Sequence, residues 1–72
     1  MKKFENVAAK VNAIKNVFRE GEKLRGKEIV QRLEESGYKV NERNILMFIY
    51  HRMLHKHVRR EMADGINLYT LL

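Results

Sequence analysis

Phe4, Val7, Ala8, Val11, Ile14, Val17 and Phe18 follow one another in three- and four-residue steps, the spacing of one face of an α-helix. The pattern predicts a first helix from near Lys3 to Arg19, stopped by Gly21, with Lys15 and Arg19 well placed for its dipole. Leu24-Arg25 reads as a short extended piece. Gly26 is the expected N-cap of a second helix over Lys27 to Ser36, with Ile29, Val30 and Leu33 as its buried stripe and Gly37 as its end. Asn41 is a good N-cap for a third helix running to about Lys56. On that helix Ile45, Leu46, Ile49 and Met53 share about 100° of arc and form the core face. Asn44, Met47, His51 and His55 fall on the opposite face, with Arg43 and Leu54 at its edge.

The remainder reads as a two-stranded hairpin. With Ala63-Asp64-Gly65 as a three-residue loop, Gly65 takes the left-handed position, and Met62 pairs with Ile66, Arg60 with Leu68 and Arg59 with Tyr69. Val58, Met62, Ile66 and Leu68 then face inward beside the stem of Arg60, while Arg59, Glu61, Asn67 and Tyr69 face out. A two-residue Asp64-Gly65 turn is the alternative, but it mixes apolar and charged residues on both faces, so the first register is expected.

Seventy-two residues suffice for one domain with a small core. There is no cysteine, which excludes disulfides and thiolate metal sites. No apolar run approaches the length of a membrane span, and the basic start, Met1-Lys2-Lys3, leads into no long apolar region. An intracellular, cytoplasmic protein is expected. The net charge is +6, and it is unevenly distributed. Residues 1–19 carry five cations against Glu5, and residues 39–60 carry six against Glu42, whereas residues 20–38 are nearly neutral. Positive charge gathered on the first helix and on the third helix with its hairpin suits a surface that meets phosphates.

The order helix, short strand, helix, turn, helix, hairpin resembles a winged helix-turn-helix domain, a mainly α fold with a small β-hairpin, here spanning residues 1–72. The resemblance rests on Leu24-Arg25-Gly26-Lys27-Glu28-Ile29-Val30-Gln31-Arg32-Leu33, on Val40-Asn41-Glu42-Arg43-Asn44-Ile45, and on Val58-Arg59-Arg60-Glu61 with Ile66-Asn67-Leu68-Tyr69. In its small size the chain is similar to compact regulators of archaea and of their viruses and plasmids. The family implies a third helix in the major groove of double-stranded DNA and a wing on the adjacent groove or backbone. Carried onto this chain, Arg43, Asn44, Met47 and His51 fall at base-contact positions, with His55 one turn beyond on the same face. Arg25, Lys27 and Asn41 fall at phosphate-contact positions, and Arg59 and Arg60 on the wing. Asp64 at the wing tip departs from the basic tip that deep minor-groove insertion would need.

Nothing in the chain suggests catalysis: there is no nucleophile constellation, glycine-rich phosphate loop or paired carboxylate. No cofactor is called for, and His51 with His55 is short of a metal's usual ligand count. The expected function is therefore sequence-specific DNA binding by a dimeric transcription regulator. The run Leu46-Met47-Phe48-Ile49-Tyr50 is too apolar for one core face, and this surplus points to a homodimer joined through the first helix, the Thr70-Leu71-Leu72 tail and, if it is not core, Phe48. Two alternatives stay open. One is a protein-interaction module in a larger assembly, and the other a general, chromatin-like DNA binder.

Overall fold

The computed structural model describes residues 3–72. Three helices pack against a three-stranded antiparallel sheet, an α+β arrangement. The order is α1 (Val7–Asn16), β1 (Lys23–Arg25), α2 (Gly26–Glu35), α3 (Glu42–Phe48), a π-helical turn (Ile49–Met53), β2 (Val58–Ala63) and β3 (Ile66–Leu71). In the sheet β3 is central, with β1 and β2 on its flanks. The third strand goes beyond the expected hairpin: Leu24 pairs with Tyr69, so the extended piece before α2 closes the sheet.

The core draws on every element. Ile14 and Phe18, Leu24, Ile29 and Leu33, Ile45, Ile49 and Met53, and Val58 and Tyr69 form one buried cluster. Burying a side chain of this size contributes roughly 1.5–3 kcal/mol.

The helix limits follow from local chemistry, and they correct the sequence reading in three places. First, α1 begins later and ends earlier than the apolar spacing predicts. Asn6 caps it, accepting from the backbone N–H of Ala9 at 2.7 Å, and Val7 and Ala8 are exposed. Phe4 instead stacks on Tyr38 with ring centroids 4.6 Å apart. The helix ends before Phe18, and Gly21, at φ 71°, sits in the following turn and is not the helix terminator. Second, Gly26 is the first residue of α2, not its cap. Arg25 holds the cap position and donates its backbone N–H to Glu28 Oε1 at 3.0 Å. Gly26 is buried because Leu46 of α3 lies across it: a Cβ there would stand 2.5 Å from Leu46 Cδ2. Third, α3 does not reach Lys56. Asn41 caps it as expected, accepting from Asn44 N–H at 3.1 Å, but the last turn widens and closes with Leu54 N–H donating to Ile49 C=O at 2.8 Å. That five-residue closure is the mark of a π-turn.

The hairpin register is the one the sequence reading set aside. Ala63 pairs with Ile66, Met62 with Asn67, Glu61 with Leu68 and Arg60 with Tyr69. The turn is the two-residue Asp64-Gly65, with φ of 52° and 77°, the pair of positive angles that defines a type I′ turn. Relative to the expected pairing, every β3 side chain changes face. Tyr69 is buried and Leu68 half-buried on the other side, while Met62 (73 % exposed) and Ile66 (44 %) stand in solvent. Arg59 lies opposite Thr70, so it does not meet Tyr69.

An ion-pair hub ties the elements together. Arg32 of α2 embraces the Glu22 carboxylate with both terminal nitrogens, Nη2 to Oε2 at 2.7 Å, and also donates to the Val17 carbonyl at 2.8 Å. Arg19 N–H donates to Glu22 Oε1 at 3.0 Å, and the Thr70 hydroxyl donates to the Glu22 carbonyl at 3.1 Å. Glu22 thus joins the end of α1, the approach to β1, α2 and β3. No helix among the described residues is long and apolar enough to cross a membrane.

Candidate nucleic-acid interface

Because Ile45, Ile49 and Met53 are sealed in the core, the opposite side of the α3 segment is turned to solvent. One flank of it faces β2 and β3 across an open groove of about 450 Å³, lined by Glu42, Arg43, Leu46, Met47, Tyr50, His51, Arg60, Asn67 and Tyr69. The pairing of Arg60 with Tyr69 sets Arg60 on the groove side of the hairpin, and its guanidinium lies 5.9 Å from the centroid of the Tyr50 ring. Tyr50 also meets the His51 ring edge-on at 5.2 Å. A cation over an aromatic face contributes about 0.5–1 kcal/mol at an exposed site, enough to bias Arg60 toward α3.

The charges in this groove are available. Among the described residues neither Arg43 nor Arg60 forms an ion pair. Glu42 is the one carboxylate in the lining, against two arginines and His51. The apolar share is also exposed: Met47 is half exposed and Tyr50 58 % exposed. The surplus in Leu46–Tyr50 is now resolved. Leu46 covers Gly26, Phe48 packs at the core margin beneath Lys10 Nζ (4.6 Å to its centroid), Ile49 is core, and Met47 and Tyr50 enter the groove.

Of the ten site residues read from the sequence, Arg43, Met47, His51 and Arg60 are brought together here. Asn44 is exposed but does not line the groove, and Asn41 uses its side chain as the α3 cap. His55 is a correction. The helix has ended at Met53, and His55 occupies a left-handed turn position (φ 67°) with its backbone N–H on Val58 C=O at 2.8 Å, so it does not continue the face of His51. Arg59 faces away from the groove and contacts Glu61 at 3.4 Å, a carboxylate also held by Lys23 at 3.1 Å. Arg25 and Lys27 are exposed at the start of α2, Arg25 beside Glu28 at 3.5 Å.

Tyr50, Asn67 and Tyr69 belong to the lining and were not read as site residues. Tyr50 had a signal in the sequence, the apolar run too long for one core face. Asn67 and Tyr69 were hidden by the register. Of the residues suggested for a dimer contact, Thr70 is buried and Leu71 is half-buried against the core, which leaves Leu72 and Val7 exposed.

Comparison of the chain with models of protein families, with curated proteins and with solved structures gave no match.

Proposed function

We propose that this chain is a winged helix-turn-helix protein that binds double-stranded DNA sequence-specifically, as a dimeric transcription regulator. The observation that carries the reading is the groove between α3 and the hairpin, where Arg43, Met47, Tyr50 and His51 line one space with Arg60 and neither arginine has an ion-pair partner among the described residues. The element order and the β1-β3-β2 sheet are compatible with that fold. A major groove about 12 Å wide admits one helix, and α3 carries its exposed side chains along one flank.

The mechanism is occupancy, not chemistry. The exposed flank of α3 enters the major groove and reads base edges, while the hairpin lies on the neighbouring backbone with Arg60 against a phosphate. Asp64 at the hairpin tip repels a deep minor-groove approach. Lys27 and Arg25 at the start of α2 add phosphate contacts that orient the domain without reading sequence.

A mobility-shift titration with duplex DNA at 50 and 200 mM salt tests this. The expected result is binding that weakens steeply with salt, as counterion release requires. A second reading, a protein-interaction module, is favoured by Met62 at 73 % exposure on the hairpin. No duplex binding at the lower salt concentration would select it.

A further inference from the structure

The helix α3 closes in a π-turn, which bears on the course of its outer row. In a regular α-helix, positions four residues apart drift around the axis by about 40° at each step. A row running from Arg43 through Met47 to His51 would therefore wind away from a groove by roughly 80°. The turn Ile49–Met53 holds more residues than an α-helical turn, as the Leu54-to-Ile49 hydrogen bond shows, and it offsets part of that drift. On the inner row Ile45, Ile49 and Met53, also spaced by four, are 1 %, 0 % and 0 % exposed. The outer row with the same spacing behaves alike, since Arg43, Met47 and His51 all line one groove.

Each member of that row has a distinct chemistry. Arg43 is a planar fork with no ion-pair partner among the described residues, suited to the two acceptors of a guanine. Met47 offers only an apolar thioether, half exposed and flanked by Leu46 and Tyr50. Such a side chain makes no strong hydrogen bond, and the apolar group that a base presents in the major groove is the C5-methyl of thymine. Four helical residues rise about 6 Å, close to two base-pair steps of 3.4 Å.

Resting on the DNA-binding reading, we infer that Met47 is a specificity-determining residue that reads a thymine methyl, about two base pairs from a guanine read by Arg43. Each half-site then carries a guanine and a thymine in that spacing, and the methyl contributes to affinity through Met47.

The test starts with selection of bound duplexes from a random pool and proceeds to replacement of each enriched thymine by deoxyuridine, which removes only the methyl. For the unmodified protein one such replacement should weaken binding about fourfold, the value of one buried methyl. Met47→Ala, whose folding is checked by its thermal unfolding, should bind the thymine and uracil duplexes equally. Three results would overturn the inference while leaving DNA binding intact. These are enrichment without sequence preference, indifference of the wild-type protein to every replacement, or a Met47→Ala variant as sensitive as wild type. Failure to bind any duplex would instead remove the DNA-binding reading beneath it.

Discussion

The arginines of this chain divide by what already holds them. Arg32 is committed to the fold through Glu22 and the Val17 carbonyl, and Arg59 leans on Glu61 on the far side of the hairpin. Arg43 and Arg60 have no carboxylate partner among the described residues and share the groove. Arg43→Ala should therefore weaken binding by about 1–3 kcal/mol and blur preference at one base pair. Arg59→Ala should change affinity little and preference not at all. Competition titrations against single-base variants of a selected duplex read both, and equal behaviour of the two variants would count against the assigned face. Glu22 gives a prediction independent of ligand. The Arg32 guanidinium, aided by the Arg19 N–H, holds its carboxyl down at about 2, well below its ordinary 4.5. A lowered folded-state value means the carboxylate stabilises the fold above the unfolded value, and that contribution fades as pH falls from about 4.5 through about 2. Thermal unfolding followed over that range should show the wild-type midpoint falling toward that of Glu22→Gln, which is already lower at neutral pH. Parallel curves for the two proteins would disprove the role of the hub.

At the scale of elements, the contact between α2 and α3 is close enough that a single substitution tests it. Leu46 lies on Gly26, so Gly26→Ala would drive a Cβ against Leu46 Cδ2. The helix-propensity gain of alanine, at most about 1 kcal/mol, competes with an overpacking cost of about 1–3 kcal/mol. A net loss of about 1–2 kcal/mol is expected in a urea titration, and unchanged stability would mean that Leu46 simply swings aside. The same helices were the most legible part of the sequence. Ile29 and Leu33 on α2, the Asn41 cap, and Ile45, Ile49 and Met53 on α3 are where their spacing put them, because a helix packed on a core must segregate its faces. The hairpin was less legible for a physical reason. Only Val58 and Tyr69 of β2 and β3 are fully in the core, so past them the strands have no inner face for a pattern to mark. There the turn decides: Asp64-Gly65 supplies both positive angles and sets the register against the apolar pattern. The site inherited that uncertainty, since Arg60 was seen as a wing residue but its neighbours Tyr69 and Asn67 were not. The π-turn had no signal at all, as no residue type in Ile49–Met53 demands it. The early start predicted for α1 came from reading apolar spacing across Asn6, whose cap outweighs it.

The described residues measure 35 × 23 × 21 Å, so two copies set side by side have centres about 21–35 Å apart, a range that includes the roughly 34 Å between successive major-groove faces of a duplex. A chain this short hides only about 60 % of its unfolded surface, and a partner copy is one way to add burial. Val7, 48 % exposed on α1, and Leu72, 67 % exposed after β3, are apolar surface that a second copy would cover. If association contributes to stability, the unfolding midpoint must rise with protein concentration, because dilution favours the separated chains. The expected outcome is a clear upward shift of the thermal midpoint between micromolar and hundred-micromolar protein, with sedimentation giving twice the monomer mass at the higher concentration. The DNA should report the same symmetry. A two-fold dimer requires selected duplexes with inverted half-sites about 10 base pairs apart, centre to centre. A concentration-independent midpoint together with an unpaired site would mean that one copy binds alone, with its affinity resting on a single α3 and a single hairpin.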